Sequence, residues 1–263
     1  ILSGDFINAM RAVLRHPTLD AAFKELVLAL PSETYIAEQL DVVDPQRIHA
    51  VREAMRQQLA NALQADWAWA FDAHQDSGAY RPDPVSSGRR ALAGMALAYL
   101  CLAARDSGDP VWPGKTYQRF KTAGNMTDRF NALNALVGSA HAHAEPALAR
   151  FHALFKDEAL VLDKWFTTQA LSLRPDAVEQ VEVLAKHRDF TLANPNRVRA
   201  LYGAFAGNQA AFHRADGRGY ELFTDLIIAL DPRNAQTAAR MVPPLGRWRR
   251  FDDGRAAKMR ACL

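Results

Sequence analysis

Strand signals are almost wholly missing from this sequence. Apolar residues recur at helical spacing along nearly the whole chain, and strict alternation is found almost nowhere. That excludes sheet-based architectures and points to an all-α protein. Cysteine is scarce: Cys101 and Cys262 stand far apart, so no disulfide framework is implied, which fits a reducing cytoplasm. Cys101 lies in the apolar run MALAYLCLAA and is expected to behave as a small buried hydrophobe. The longest apolar run, near residues 92–104, is too short to span a bilayer. The N-terminal ILSGDFINAMRAVLRHP lacks the basic start and unbroken apolar stretch of a signal peptide. It also lacks an initiator Met, so a piece of a longer protein is expected. Charge of one sign is barely in excess, at +3 over 263 residues, too little to argue for nucleic acid.

Signatures of chemistry are absent as well. There is no H-E-x-x-H, no Gly-rich phosphate loop and no G-x-S-x-G. DGRGY, around Gly217 and Gly219, lacks the preceding strand and third glycine of a dinucleotide site, and is expected to be a loop and helix start. In HAHAEP, His141 and His143 would point about 200° apart on a helix and could not share a metal; in an extended segment they could. Surface histidines are the simpler reading. GRWRRFDDGR, Gly246 to Arg255, mixes arginines with Trp248 and Phe251, a mix that can hold phosphates and stack bases. Asp252 and Asp253 would neutralise much of that patch, and a helix end with snorkelling arginines is favoured.

What is present is helix after helix. The pattern gives roughly a dozen of modest length, about 15 to 20 residues per helix and turn, which suits stacked helical pairs. The longest is expected from Val43 to Phe71, with Asp44 as N-cap and Pro45 in the first position. Its buried face would carry Ile48, Val51, Met55, Leu59, Ala62 and Leu63. A loop rich in Gly, Pro, Asp and Ser is expected from Gln75 to Gly88. Thr127 or Asp128 should lie near the cap of the helix in MTDRFNALNALVGSA. A core stripe of Leu162, Trp165, Phe166, Ala170 and Leu173 follows. Only Leu92–Ala104 is apolar enough for the centre of a bundle. The expected fold is therefore an α-solenoid, a superhelix of irregular armadillo/HEAT-like helical hairpins, with a globular helical bundle second. A single domain over residues 1–263 is expected.

Two helices carry unusual polar detail. In NPNRVRALYGAFAGN, Asn194 can cap and Pro195 fits the first helical position. Val198, Leu201, Tyr202 and Phe205 form one buried stripe, with Arg197 and Arg199 flanking it on opposite sides. Gly203 and Gly207, four apart, would let another helix approach closely. In RNAQTAARMVPPLG, Ala238, Met241, Val242 and Leu245 form the stripe, and Gln236 and Arg240 share the opposite face. Pro243–Pro244 should kink or end that helix. A solvated face is one reading of Gln236 and Arg240; a concave ligand-reading surface is the other.

The segments LDVVDPQRIHAVREAMRQQLA, NMTDRFNAL, LVLDKWFTTQA, HRDFTLANPNRVRALYGAFAGN, AFHRADGRGYELF and DPRNAQTAARMVPPLGRWRRFD together resemble the C-terminal domain of the bacterial aminopeptidase N family. These are zinc-dependent gluzincin aminopeptidases, and the resemblance covers essentially the whole chain. It implies a helical superhelix that caps the active site of a larger multidomain enzyme and encloses the route into it. The family's zinc lies in an upstream domain, held by H-E-x-x-H and a later glutamate; none of these is in this chain. The resemblance maps cavity-facing positions onto Arg199, Gln236 and Arg240, which would contribute binding rather than bond breaking. It implies no catalytic residue and no metal or cofactor in this chain, which alone should bind no stoichiometric zinc. The expected partners are peptide substrates and the catalytic domain of the same polypeptide, without nucleic acid or membrane. The complete enzyme is expected to be a cytoplasmic bacterial monomer that continues for a further helix or so after Leu263. The alternative is a free-standing helical-repeat scaffold that binds a partner protein.

Overall fold

The computed structural model describes residues 2–76 and 78–263. They are all-α: among them there is no strand, only an isolated bridge between Val43 and Phe251. No helix among the described residues is long and apolar enough to cross a membrane. The chain packs as two compact units, Ile1–Leu30 with Val51–Arg150, and Pro31–Ala50 with Phe151–Leu263.

In chain order the helices of the first half are α1 (Gly4–Arg15), α2 (Ala21–Leu28), α3 (Glu33–Glu38), α4 (Pro45–Ala62), α5 (Gln64–Ala73), α6 (Pro84–Ser107), α7 (Val111–Thr122) and α8 (Met126–Gly138). Within the first unit, α6 is the axis and packs against α2, α5, α7 and α8. Small residues permit this. A Cβ on Gly88 would lie 2.8 Å from the backbone nitrogen of Ala22, and one on Gly94 would lie 2.5 Å from the amide of Asn131. Met10, Leu14, Leu28, Leu63, Trp67 and Leu100 belong to the core that closes around it. Burial of each large side chain there contributes about 1.5–3 kcal/mol. Cys101, inside this packing, hydrogen-bonds Thr116, and burial pushes its thiol up to about 11. It is an inert core thiol, as its run of neighbours implies.

Three boundaries differ from the sequence reading. The long helix breaks at Leu63, whose φ of −111° and ψ of 20° leave the helical region. The turn seats Trp67 fully in the core, stacked on Tyr99 at 4.4 Å, with its indole N–H donating to the Leu59 carbonyl. Val51 and Ala62, expected on the buried face, are exposed, while Ile48, Leu59 and Leu63 are buried. The expected loop over 75–88 gives way to helix at Pro84, because Asp83 accepts from the backbone N–H of Ser86 and Pro84 takes the first position. In α8 the cap is Asn125, which accepts from the N–H of Asp128. Asp44 does cap α4, accepting from the Arg47 N–H at 3.1 Å.

The later helices are α9 (Ala144–Phe155), α10 (Ala159–Ala170), α11 (Ala177–Ala185), α12 (Pro195–Val198), α13 (Ala204–Gly207), α14 (Gln209–Phe212), α15 (Arg218–Leu230), α16 (Ala235–Met241), α17 (Pro243–Gly246) and α18 (Asp253–Ala261). In the second unit, edge-to-face contacts of Phe212 with Phe205, Tyr220 and Phe223, at 5.2–5.7 Å, build the aromatic centre. Gly219 lets α15 meet α14, since a Cβ there would lie 2.3 Å from the Phe212 carbonyl oxygen. The last segment is tied to α3. The Arg250 side chain donates to the carbonyls of Ala37, Glu38 and Leu40, and Val43 N–H donates to the Arg250 carbonyl at 2.7 Å.

Candidate functional site

The segment Asn194–Asn208 is built from its cap upward. The Asn194 side chain accepts from the N–H groups of Asn196 and Arg197, at 3.0 and 3.3 Å. Val198, Leu201, Tyr202 and Phe205 are all buried, as the stripe requires. Between α12 and α13 the chain makes a five-residue π turn, Arg199–Gly203. The Thr167 hydroxyl donates to the Ala200 carbonyl there at 2.9 Å. Asn208 closes the segment by donating to the carbonyls of Ala170 and Ser172. Gly203 and Gly207 admit no close helix. The nearest atoms to their would-be Cβ positions are Arg199 Cβ at 3.6 Å and a Leu171 methyl at 4.0 Å. Both glycines border a surface hollow instead.

The two arginines part company. Arg197 is buried: it pairs with Asp163 at 2.5 Å, donates to the carbonyl of Asp189 and lies over the Phe166 ring. Arg199 is exposed and donates to the Asn196 side chain at 2.5 Å. Gln236 and Arg240 are exposed on α16, opposite buried Ala238 and Met241. Among the described residues neither side chain makes a hydrogen bond or ion pair. The helix ends at Met241, before Pro243–Pro244. No hydrogen bond or ion pair among the described residues joins Arg199, Gln236 and Arg240 to one another.

The hollow has a volume of about 670 Å³, within the range of small-molecule sites. Val43, Ala206, Pro243 and Phe251 give it apolar walls, and Gln209 and Arg247 are among its polar members. Arg199, Gln236 and Arg240 are not lining residues, though Arg199 and Arg240 are close to them in sequence. Arg199 precedes Gly203 on the π turn, and Arg240 stands four residues before Pro244. Arg250 is held by its three carbonyls, and Arg247 faces Glu38 at 3.7 Å. His213, also at the hollow, bonds the Tyr220 hydroxyl through Nδ1 at 2.8 Å and stacks on Phe251. Burial first, then the charge of Arg255, pushes its imidazole down to about 3, so it is a neutral structural group.

Two histidine arrangements differ from the sequence reading. The segment of His141 and His143 is a turn, not a helix, and brings the rings within 4.6 Å. His141 Nδ1 is engaged there by the His143 backbone N–H. The second arrangement was not legible. His152 of α9 meets His187 and Asp189, which follow α11, and their ligand atoms lie within 4.8 Å of one another. Thirty-odd residues separate the two parts in sequence, and only HRD hints at them. This is the one cluster of three or more such groups among the described residues. It lacks a glutamate and the i, i+4 histidines of a metallopeptidase, so it does not fit that family's catalytic zinc.

Comparison with known proteins accounts for the whole chain. The family model described as "Domain of unknown function (DUF3458_C) ARM repeats" matches residues 1–263. Aminopeptidase N of Escherichia coli (strain K12) is 37% identical over 257 residues, which is 97% of this chain and 29% of that protein. Aminopeptidase N of Caulobacter vibrioides is 38% identical over 261 residues, 98% of this chain and 30% of that protein. The crystal structure of Legionella pneumophila aminopeptidase A in complex with aspartic acid matches with a TM-score of 0.88 at 30% identity, covering 100% of this chain and 31% of that one. The chain thus spans less than a third of the length of these relatives.

Proposed function

Because this chain belongs to the ARM-repeat family that forms the C-terminal domain of aminopeptidase N, we propose that it is the non-catalytic helical cover of a zinc aminopeptidase that removes N-terminal residues from peptides. In this reading it closes over the active site, lines the substrate cavity and sets which peptides enter. Zinc-activated water would attack the scissile carbonyl within the part of the protein that lies outside this chain. Arg199, Gln236 and Arg240 would face the cavity and hold peptide carbonyls or carboxylates, Arg in bidentate fashion. The observation that carries the reading is the match to aminopeptidase N along the full chain.

The geometry of the second unit supports the division of roles. Arg197 is consumed by the interior, whereas Gln236 and Arg240 have no partner among the described residues. Arg199 opens a π turn, a helical irregularity enriched at functional sites. An enclosed cavity would admit peptides and exclude folded proteins, so the cover acts as a size filter. The test is direct: the isolated chain, supplied with zinc, should hydrolyse no aminoacyl arylamide. Zinc-dependent turnover by this chain would overturn the assignment.

A further inference from the structure

We propose that His152, His187 and Asp189 form a binding site for a divalent transition metal ion, with Zn²⁺ the natural occupant. The geometry is close to what such an ion needs. His152 Nε2 lies 2.6 Å and His187 Nδ1 lies 3.7 Å from the same oxygen, Asp189 Oδ2. Donors about 2.0–2.2 Å from one tetrahedral zinc stand roughly 3.3 Å apart. The first spacing must open by about 0.7 Å and the second close by about 0.4 Å, while the two imidazole nitrogens lie within 4.8 Å of each other. Side-chain exposures of 15%, 29% and 26% leave the cluster open on one side, so a fourth position can be taken by water.

His187 Nδ1 accepts the backbone N–H of Asp189 at 3.2 Å, a bond the ion would have to displace. The proton between His152 and Asp189 is what the ion replaces, with His152 keeping a proton on Nδ1. The surroundings are packed. Trp165 packs against both imidazoles at 4.9 and 5.1 Å, and Arg197 grips the Asp189 carbonyl. Burial lowers the His187 imidazole; Asp189 opposes this, while His152, Arg188 and Arg197 add to it. Two cations face the cluster. Arg197 is neutralised by Asp163, and Arg188, 3.9 Å from the other Asp189 oxygen, is 72% exposed and free to turn away. The two-nitrogen, one-oxygen donor set suits zinc, nickel or copper rather than calcium or magnesium. A site here replaces the expectation that the chain holds no metal; His152 and HRD lie too far apart in sequence to have signalled it.

The experiment titrates this chain with Zn²⁺ alone by calorimetry, with Co²⁺ absorption as a second readout. One ion per chain with a Kd of about 10 µM or tighter is expected. Asp189→Asn and His187→Asn should each weaken binding by at least about 10–100-fold, the range that even outer partners of a metal command. His143→Asn should change nothing. If His152→Asn unfolds the chain through loss of its bond to Asp189, His187→Asn, the most exposed member, still decides. No saturable binding at 1:1, binding kept in His187→Asn, or binding lost in His143→Asn overturns the proposal.

Discussion

Arg197 ties the Asn194–Asn208 segment to Asp163 of α10, and its removal can be reasoned through. Its guanidinium is 7% exposed and pairs with Asp163, which is 16% exposed. It also donates to the Asp189 carbonyl and lies 5.1 Å over Phe166. Arg197→Ala takes the Arg197 partner from the carboxylate of Asp163 and from the half-buried Asp189 carbonyl, and opens space above Phe166. Breaking a buried pair from one side costs about 3–5 kcal/mol. Arg197→Met keeps the stem over the ring, so it should be less damaging than Ala. Combined with Asp163→Leu it should cost less than the two single changes summed, by about 1–3 kcal/mol, since both remove one interaction. Hydrogen exchange by mass spectrometry of peptides covering residues 159–207 reads the affected region. An Arg197→Ala cost below about 1 kcal/mol, or strict additivity with Asp163→Leu, would refute the view that this pair anchors the segment.

Two further outcomes follow from the same unit. Asn194→Ala removes an acceptor for two helix-start N–H groups, and should cost about 0.5–2 kcal/mol in urea unfolding while leaving the circular dichroism spectrum unchanged. His213, held down to about 3 in the folded chain, takes a proton more readily when unfolded. Its contribution is therefore whole above about pH 6.5 and is lost as pH falls toward 3, at about 1.4 kcal/mol per pH unit. In His213→Asn that part of the acid slope should vanish, as measured by urea midpoints between pH 6.5 and 4.

Much of the fold could be read because its determinants are local. Asp44–Pro45, Asn194–Pro195 and the stripe from Val198 to Phe205 are capping and periodicity signals, and each holds in the structure. Asp83–Pro84 is the same signal, hidden by the Ser and Gly residues around it. The break at Leu63 had no local mark, because it serves Trp67 and Tyr99, which meet only through tertiary packing. For the same reason the π turn at Arg199 could not be foreseen: its support is a hydroxyl from Thr167. The helical wheel separated Arg197 from Arg199, yet only the structure tells which is buried. The cluster of His152, His187 and Asp189 joins two distant segments, and periodicity carries no information about such a meeting.

The central claim concerns the cavity wall, and steady-state kinetics of the complete enzyme reach it most directly. Arg240→Ala and Gln236→Ala, assayed with peptides of increasing length, should raise KM more than they lower kcat, the mark of binding lost equally in ground and transition states. Unchanged kinetics across all peptide lengths would contradict the account.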